Sequence, residues 1–139
     1  MQSRLNVRSA MLGKRYLLDT NALVALLEGH DALIALTRDA DWLGVSVINV
    51  LEILGFDGLT EPDRLLFKQL LSRITVIDLI HTDAALMAHI TALRKTRSLK
   101  LPDAIVMGSA ALHQAILVTK DVALIKLAST SKEYKAQIF

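Results

Sequence analysis

The chain has 139 residues, 53% of them hydrophobic, and a formal net charge of +2. This length and apolar content predict one domain with its own core, and so small a charge leaves any attraction to nucleic acid to local basic patches. The chain contains no cysteine, which excludes a disulfide scaffold, a thiolate metal site and a thiol nucleophile.

The first 14 residues are basic and contain no acidic residue. They show neither a helical nor a strand period, so we interpret residues 1–14 as a basic leader, either a mobile arm or, preferably, a segment without a role of its own. Residues 15–139 are expected to form the single domain. No apolar run is long enough for a membrane span or a signal peptide, and we expect a cytoplasmic protein without membrane contact.

From Tyr16 onward, short strand-like runs alternate with longer helical patterns, which is typical of βαβ units on a parallel sheet. In chain order we predict strand 16–18, helices 22–28 and 31–39, strand 42–45, a helix from Ser46 to Gly55, a helix from Pro62, strand 74–79, a helix from Thr82, helix 104–113, strand 116–118, helix 122–127 and an edge strand within 134–138. The predicted fold class is therefore α/β, a three-layer α/β/α sandwich with a mainly parallel central sheet of four or five strands.

Acidic residues recur where these predicted elements meet. Asp19 follows the first strand, Asp103 begins the helix before the fourth strand, and Asp121 follows the fourth strand. In an open parallel sheet, binding sites form beyond the carboxyl ends of the strands, so these acids are candidates for one site. Each is explained as well by capping or by the dipole at a helix start, and the positions alone do not decide between the two.

Glu52 is a fourth acid, in the segment VINVLEILGF. The helix predicted there is apolar almost all round, so we expect Glu52 to be partly buried. A buried carboxylate without a partner is costly to desolvate, and this residue therefore calls for a partner more strongly than the other three.

Bringing several carboxylates together requires a compensating charge. Two like charges about 4 Å apart repel by about 4 kcal/mol at an effective dielectric near 20. A divalent cation supplies that compensation, and oxygen ligands without cysteine or paired histidines favour magnesium or manganese over zinc. The sequence thus points to a Mg²⁺ or Mn²⁺ site, which is suited to activating water against a phosphodiester.

Four segments carry a family resemblance: LLDTNALVALL, SVINVLEIL, LKLPDAIVMGSAAL and ILVTKD. In this order and spacing they resemble the PIN-domain nucleases, most closely the VapC-type toxins of bacterial toxin-antitoxin pairs. The resemblance covers about residues 16–127. Its most specific part is the combination of the Leu-Asp-Thr-Asn stretch at Asp19 with the Pro-Asp-Ala-Ile stretch at Asp103.

The resemblance implies a metal-dependent endoribonuclease that is the toxin of such a pair, is blocked by a cognate antitoxin and forms a homodimer. It implies that one or two Mg²⁺ or Mn²⁺ ions are held, directly or through water, by four acids: Asp19, Glu52, Asp103 and Asp121. It also implies supporting roles for three hydroxyl residues: Thr20, Ser46 and Thr119. Two further possibilities stay open, a PIN-type RNA-processing nuclease that is not a toxin and a catalytically silent binding module of the same fold.

Two departures from the family pattern concern the site. Asn49 stands where a threonine is common, and the residues after Asp121 lack the acid and the aromatic that often follow it. Basic residues from Arg94 to Lys100 precede Asp103, where they either contact an RNA backbone or form a solvated helix end. The histidines show no ligand spacing, and His113 is expected at the surface.

Overall fold

Five parallel strands form one sheet in the computed structural model, which describes residues 13–139. They are β1 (Arg15–Leu18), β2 (Trp42–Ser46), β3 (Thr75–Ile77), β4 (Ile116–Val118) and β5 (Ala136–Gln137). Their order is β3-β2-β1-β4-β5, and every neighbouring pair is parallel. All five predicted strands are present. The predicted leader lies outside the described residues except for Gly13 and Lys14.

Seven helices cover the two faces of this sheet in the described part of the chain. They are α1 (Thr20–Leu27), α2 (Asp31–Asp39), α3 (Val47–Leu54), α4 (Glu61–Leu71), α5 (Ala84–Thr96), α6 (Leu101–Leu112) and α7 (Val122–Ser129). One core lies between the sheet and α1–α4, and a second lies between the sheet and α5–α7. Neighbouring residues of a strand face opposite sides, so Leu17 enters the second core and Leu18 the first. The three-layer α/β/α prediction is confirmed.

Two helices begin earlier than predicted because their prolines lie inside the first turn. Helix α4 begins at Glu61 behind a capping box formed by Thr60 and Asp63, and helix α6 begins at Leu101 with Pro102 as its second residue. Proline is tolerated there because the peptide N–H it lacks would have no partner within the helix. The earlier start of α6 places Asp103 in its first turn. No helix within residues 13–139 combines the length and apolar character needed to cross a bilayer.

The strand order reverses between β1 and β4, the two central strands. From β1 the chain proceeds to β2 on one side, whereas β4 lies on the other side. The helices that follow these strands, α1 and α7, belong to the two different cores. Such a switch point opens a crevice at the carboxyl ends of the strands, where ligands bind in α/β sheets.

A stack of three side chains closes the opposite end of the sheet. The rings of Trp42 and His113 are parallel within 9° with centroids 5.4 Å apart, and the guanidinium of Arg15 lies 4.6 Å from the Trp42 ring. Arg15 Nε also donates to the carbonyl of His113 at 2.8 Å. Burial, and then the charge of Arg15, lower the pKa of His113. His113, predicted to be a surface residue, is half-buried, because its ring stacks on Trp42.

Gly44 provides the space for this stack, since a Cβ atom there would collide with the Trp42 ring. We expect Gly44→Ala to lower the free energy of unfolding by about 1–3 kcal/mol, the usual range for overpacking. We also expect it to change the fluorescence of Trp42, the one tryptophan in the chain. Chemical denaturation and emission spectra measure both effects.

The matched control is Gly58→Ala, whose Cβ atom would meet the ring of Phe56. That ring is 66% exposed and free to turn away, so little stability should be lost. An equal loss in both variants would contradict the argument that Trp42 is held in place.

Candidate acidic site

Asp19 lies at the carboxyl end of β1 and caps α1. Its Oδ1 accepts hydrogen bonds from the peptide N–H of Thr20 at 2.9 Å and from Asn49 Nδ2 at 3.2 Å, and its Oδ2 accepts one from Thr119 Oγ1 at 2.7 Å. Its own N–H donates to the carbonyl of Val118 at 3.0 Å. Uncharged donors from α1, α3 and the end of β4 therefore orient this carboxylate.

Asp121 and Thr119 lie at the end of the neighbouring strand, β4. The Oδ1 atom of Asp121 accepts from the N–H groups of Ala123 and Leu124, at 2.9 and 3.2 Å, as a helix cap. The N–H of Asp121 donates at 3.0 Å to Thr119 Oγ1, the hydroxyl that donates to Asp19. Asp121 thus has the capping role considered for it, and one buried hydroxyl connects it to Asp19.

Glu52 reaches the site from α3. Its Oε2 accepts a hydrogen bond from Thr20 Oγ1 at 2.8 Å, but the residue is exposed rather than buried. The expectation of a costly burial is wrong, because α3 leaves part of its apolar surface uncovered: Leu51 is 62% and Leu54 40% exposed. One face of this apolar helix therefore lies at the surface with Glu52, whereas Val50 and Ile53 on its other face enter the first core.

Asp103 is half-buried in the first turn of α6. Burial is the main cause that raises its pKa, followed by the negative charges of Asp121 and Asp19 and, with a smaller effect, Glu52. Lys100 acts in the opposite direction. The other three predicted acids therefore all act on Asp103 through their charge.

The three predicted supporting residues differ in what they contact. Thr20 and Thr119 donate directly to carboxylates of the site. Ser46 is buried, and its hydroxyl accepts the N–H of Ile48 at 3.3 Å as the cap of α3. Its contact stabilises the start of the helix that carries Glu52.

Asn21 is a residue of the site that the sequence did not single out. Its side-chain oxygen accepts the N–H of Lys120 at 3.2 Å, which joins the turn after β1 to the turn after β4. The only sign of this role in the sequence is its position two residues after Asp19. The contact itself depends on the neighbouring positions of β1 and β4, which are 100 residues apart in sequence and adjacent only in the folded sheet.

The donor set agrees with magnesium or manganese in kind. Hard divalent cations prefer carboxylate oxygens, and the four acids offer these at one edge of the sheet, where Lys100 acts on Asp103 but forms no ion pair with it. The ion pairs within residues 13–139 involve other acids: Asp39, Glu61 and Glu133. No three acids or histidines in that range are close enough together to enclose an ion. The residues therefore fit the chemistry of a divalent site but do not form a closed ligand cage.

A basic stretch adjoins the acids where α5 passes into α6. Its four cationic residues are all exposed: Arg94, Lys95, Arg97 and Lys100. Arg97 donates to Thr130 Oγ1 at 3.2 Å, and Lys100 precedes the helix that carries Asp103. This exposed basic stretch thus precedes Asp103 along the chain, and Lys100 is close enough for its charge to act on that acid.

Comparison with known proteins agrees with this geometry. The family model of the PIN domain matches residues 16–129. A toxin-antitoxin complex from Klebsiella pneumoniae contains a chain that is 26% identical, with a TM-score of 0.67, and the match covers 86% of this chain and 98% of that one. No functionally curated protein matches the sequence.

Two further solved structures share the fold at lower identity. VapBC2 from Rickettsia felis, bound to a DNA fragment from its promoter, is 20% identical with a TM-score of 0.68, and 89% of this chain and 98% of that chain are covered. VapBC-1 from nontypeable Haemophilus influenzae is 20% identical with a TM-score of 0.64, and the coverage is 88% and 96%. Both matches span nearly the whole chain and support the same α/β/α architecture.

The raised pKa of Asp103 predicts a gain in stability when its charge is removed. Because the folded protein binds this proton more tightly than the unfolded chain, ionised Asp103 destabilises the fold once the pH rises above the ordinary value of 3.8, and increasingly so until the pH passes the raised pKa. Asp103→Asn should therefore unfold a few degrees above the wild type at pH 7, and the difference should shrink as the pH falls toward that value. Thermal denaturation followed by circular dichroism measures this.

Asp31→Asn is the control for this comparison, since Asp31 is an exposed acid in the first turn of α2 and is not among the charges that act on Asp103. It should not raise the melting temperature. A lower melting temperature for Asp103→Asn at pH 7 would contradict the repulsion argument.

Proposed function

The chain belongs to the PIN-domain family, a family of nucleases, and from this membership we propose that it is a metal-dependent endoribonuclease acting as the toxin of a toxin-antitoxin pair. The observation that carries the proposal is the hydrogen-bonded arrangement of acids at the carboxyl ends of β1 and β4, where Thr119 connects Asp121 to Asp19 and where Asn49 and Thr20 connect Asp19 to Glu52. Asp103 adjoins them, and burial, followed by the charges of these acids, raises its pKa. Like charges held together at a sheet edge weaken the fold, and a bound cation relieves that repulsion. The proposed location of this activity is the cytoplasm.

In this proposal, the four acids bind Mg²⁺ or Mn²⁺, some directly and some through water, and do not act as a proton-sharing pair. The ion supplies charge neutralisation on the phosphodiester and a more acidic water. Thr119 and Asn49 hold Asp19 in one orientation, and Thr20 holds Glu52. Fixed ligand oxygens favour the ion because less conformational freedom is lost when it binds.

The substrate proposed for this edge is RNA. The exposed basic stretch from Arg94 to Lys100 lies next to Asp103 along the chain and suits the phosphate backbone. Contacts of this kind position a nucleic acid without reading its sequence. We therefore propose that this stretch binds the RNA strand and that the acids cleave it.

An antitoxin is the proposed protein partner, since solved structures similar to this chain include toxin-antitoxin complexes. Five large apolar side chains of α3, the following loop and α4 are exposed, and we call them the α3–α4 apolar surface: Leu51, Leu54, Phe56, Leu65 and Leu66. Exposed apolar patches of this type mark interaction sites. We propose that the antitoxin covers the α3 part of this surface and that a second copy of the chain packs on the α4 part.

A cavity of about 400 Å³ connects this surface to the acids. Phe56 and Leu59 contribute to its apolar lining, and its polar lining consists of Thr20, Glu28, Glu52 and Asp63. A partner that fills the cavity would therefore also cover the Thr20–Glu52 hydrogen bond. This arrangement supports inhibition by occlusion of the site.

The activity is tested by incubating the purified protein with structured RNAs in Mg²⁺ or Mn²⁺. We expect cleavage that EDTA abolishes. Asp19→Asn and Asp103→Asn should each reduce the rate by at least about 100-fold, because each removes a charged ligand of the proposed ion. The exposed acid Asp31 serves as the control, and Asp31→Asn should cleave like the wild type. Cleavage that persists in chelator or in both site variants would refute the proposal.

The partner surface is tested by sequencing the DNA next to the gene and co-expressing the protein with any short reading frame found there. We expect its product to co-purify and to inhibit cleavage. Phe56→Glu should weaken the complex about 30-fold, corresponding to the loss of an aromatic anchor worth about 2 kcal/mol. Leu79→Glu alters an exposed apolar residue outside this surface and should leave binding unchanged. Undiminished binding by Phe56→Glu would count against the assigned surface.

A further inference from the structure

One buried amide lies between two of the site acids. Asn49, in the first turn of α3, is only 1% exposed. Its Nδ2 donates to Asp19 Oδ1 at 3.2 Å and to Thr20 Oγ1 at 2.8 Å, and the Thr20 hydroxyl in turn donates to Glu52 Oε2 at 2.8 Å. A continuous chain of hydrogen bonds thus runs from one amide to both carboxylates.

The chemistry of these groups gives the chain a direction. A carboxylate only accepts, so the nitrogen of the Asn49 amide, and not its oxygen, must face Asp19. The Thr20 hydroxyl has one hydrogen. Since its oxygen already accepts from Asn49, that hydrogen is free to point at Glu52. The first N–H of Asn49 therefore stabilises Asp19 directly, and the second stabilises Glu52 through Thr20.

Asparagine is the side chain that this arrangement requires. A threonine or serine at position 49 has one hydroxyl hydrogen and cannot donate to Asp19 and Thr20 together, and an aspartate would add a like charge. The orientation leaves Asn49 Oδ1 buried without a hydrogen-bond partner within residues 13–139. A buried oxygen without a hydrogen-bond partner is unfavourable. The fold keeps this orientation nevertheless, because the reverse one would lose both hydrogen bonds that Asn49 donates.

We propose that Asn49 is a positioning residue that fixes Asp19 and Glu52 relative to each other, so that the two acids bind the cation as a preformed pair. The inference rests on the proposed function, since it takes both acids as metal ligands. It goes beyond that function in two ways. One neutral side chain, Asn49, fixes both acids, and the hydroxyl of Thr20 connects Asn49 to Glu52. Asn49 itself does not touch the ion or the RNA.

The geometry is tested without metal or substrate by NMR of the asparagine side-chain amides. We expect the two Asn49 side-chain protons to be separated in chemical shift and protected from exchange with solvent. Thr20→Val, which removes the hydroxyl but keeps the shape, should shift one of them, and Thr20→Ser should restore the original value. Rapid exchange of both protons in the wild type would overturn the proposal.

The consequence is tested by titrating Mn²⁺ into each variant by calorimetry, followed by RNA cleavage kinetics. Asn49→Ala should weaken Mn²⁺ binding by about 10- to 100-fold, the range found when groups that orient metal ligands are removed. Asn49→Thr should fall between this variant and the wild type because it keeps one donor. For Asn49→Ala, kcat should be lower than for the wild type at low Mn²⁺ concentration and should recover at high Mn²⁺ concentration, whereas KM for RNA should not change.

Ser109→Ala is the matched control. Ser109 is also 1% exposed, and its hydroxyl donates to the carbonyl of Ile105 within α6. This variant loses a buried polar contact of similar size and should keep the wild-type Mn²⁺ affinity.

The possible failures are distinguishable. A wild type that neither binds Mn²⁺ nor cleaves RNA refutes the proposed function. A wild type that does both, with Mn²⁺ affinity unchanged in Asn49→Ala and Asn49→Thr, refutes the role of Asn49 alone. If Asn49→Ala does not fold, Asn49→Thr and the wild-type NMR measurement decide the outcome.

Discussion

Uncharged hydrogen-bond donors hold the carboxylate of Asp19 at the carboxyl end of β1, and the rest of the site is arranged around this interaction. The main chain of Asp19 is bonded to Val118 on the adjacent strand, and its side chain to Thr119 beyond that strand and to Asn49 on α3. One acid thus connects the two central strands with a helix of one outer layer. The donors fix its direction, and none of them carries a charge.

That charge sets the electrostatic character of the whole edge. Asp103 lies on α6, in the layer opposite α3, and burial, followed by the charges of Asp121 and Asp19, raises its pKa. A fold optimised for stability alone would place a cation or a neutral residue here. The retained repulsion is the kind of local cost that functional sites carry, and a divalent ion would turn it into binding energy.

Most of the fold was predictable because its information is local. Alternating short apolar runs and helical periods identify the strands and helices, and acids at their junctions indicate the site edge. The sequence was misleading about the exposure of individual side chains, because exposure depends on which helix faces the fold leaves in contact with solvent. Glu52 was expected to be buried because its helix is apolar, yet that helix forms an open surface. His113 was expected to be exposed, yet it stacks on Trp42, some 70 residues earlier in the chain.

The connections within the site were less accessible still. Asn49 appeared in the sequence only as a departure from a family pattern, and its contacts with Asp19 and Thr20 depend on how α3 packs beside α1. Hydrogen bonds between residues about 30 to 100 positions apart are set by strand order. The local apolar and polar patterns of the sequence do not reveal that order.

The central claim is that the four acids at this edge bind a divalent cation. Crystals grown with Mn²⁺ and measured at a wavelength where manganese scatters anomalously test it most directly. We predict an anomalous peak at the carboxyl ends of β1 and β4, within ligand distance of Asp19 and at least one of the other three acids. A fully occupied Mn²⁺ elsewhere on the protein, with no peak at this edge, would contradict the claim.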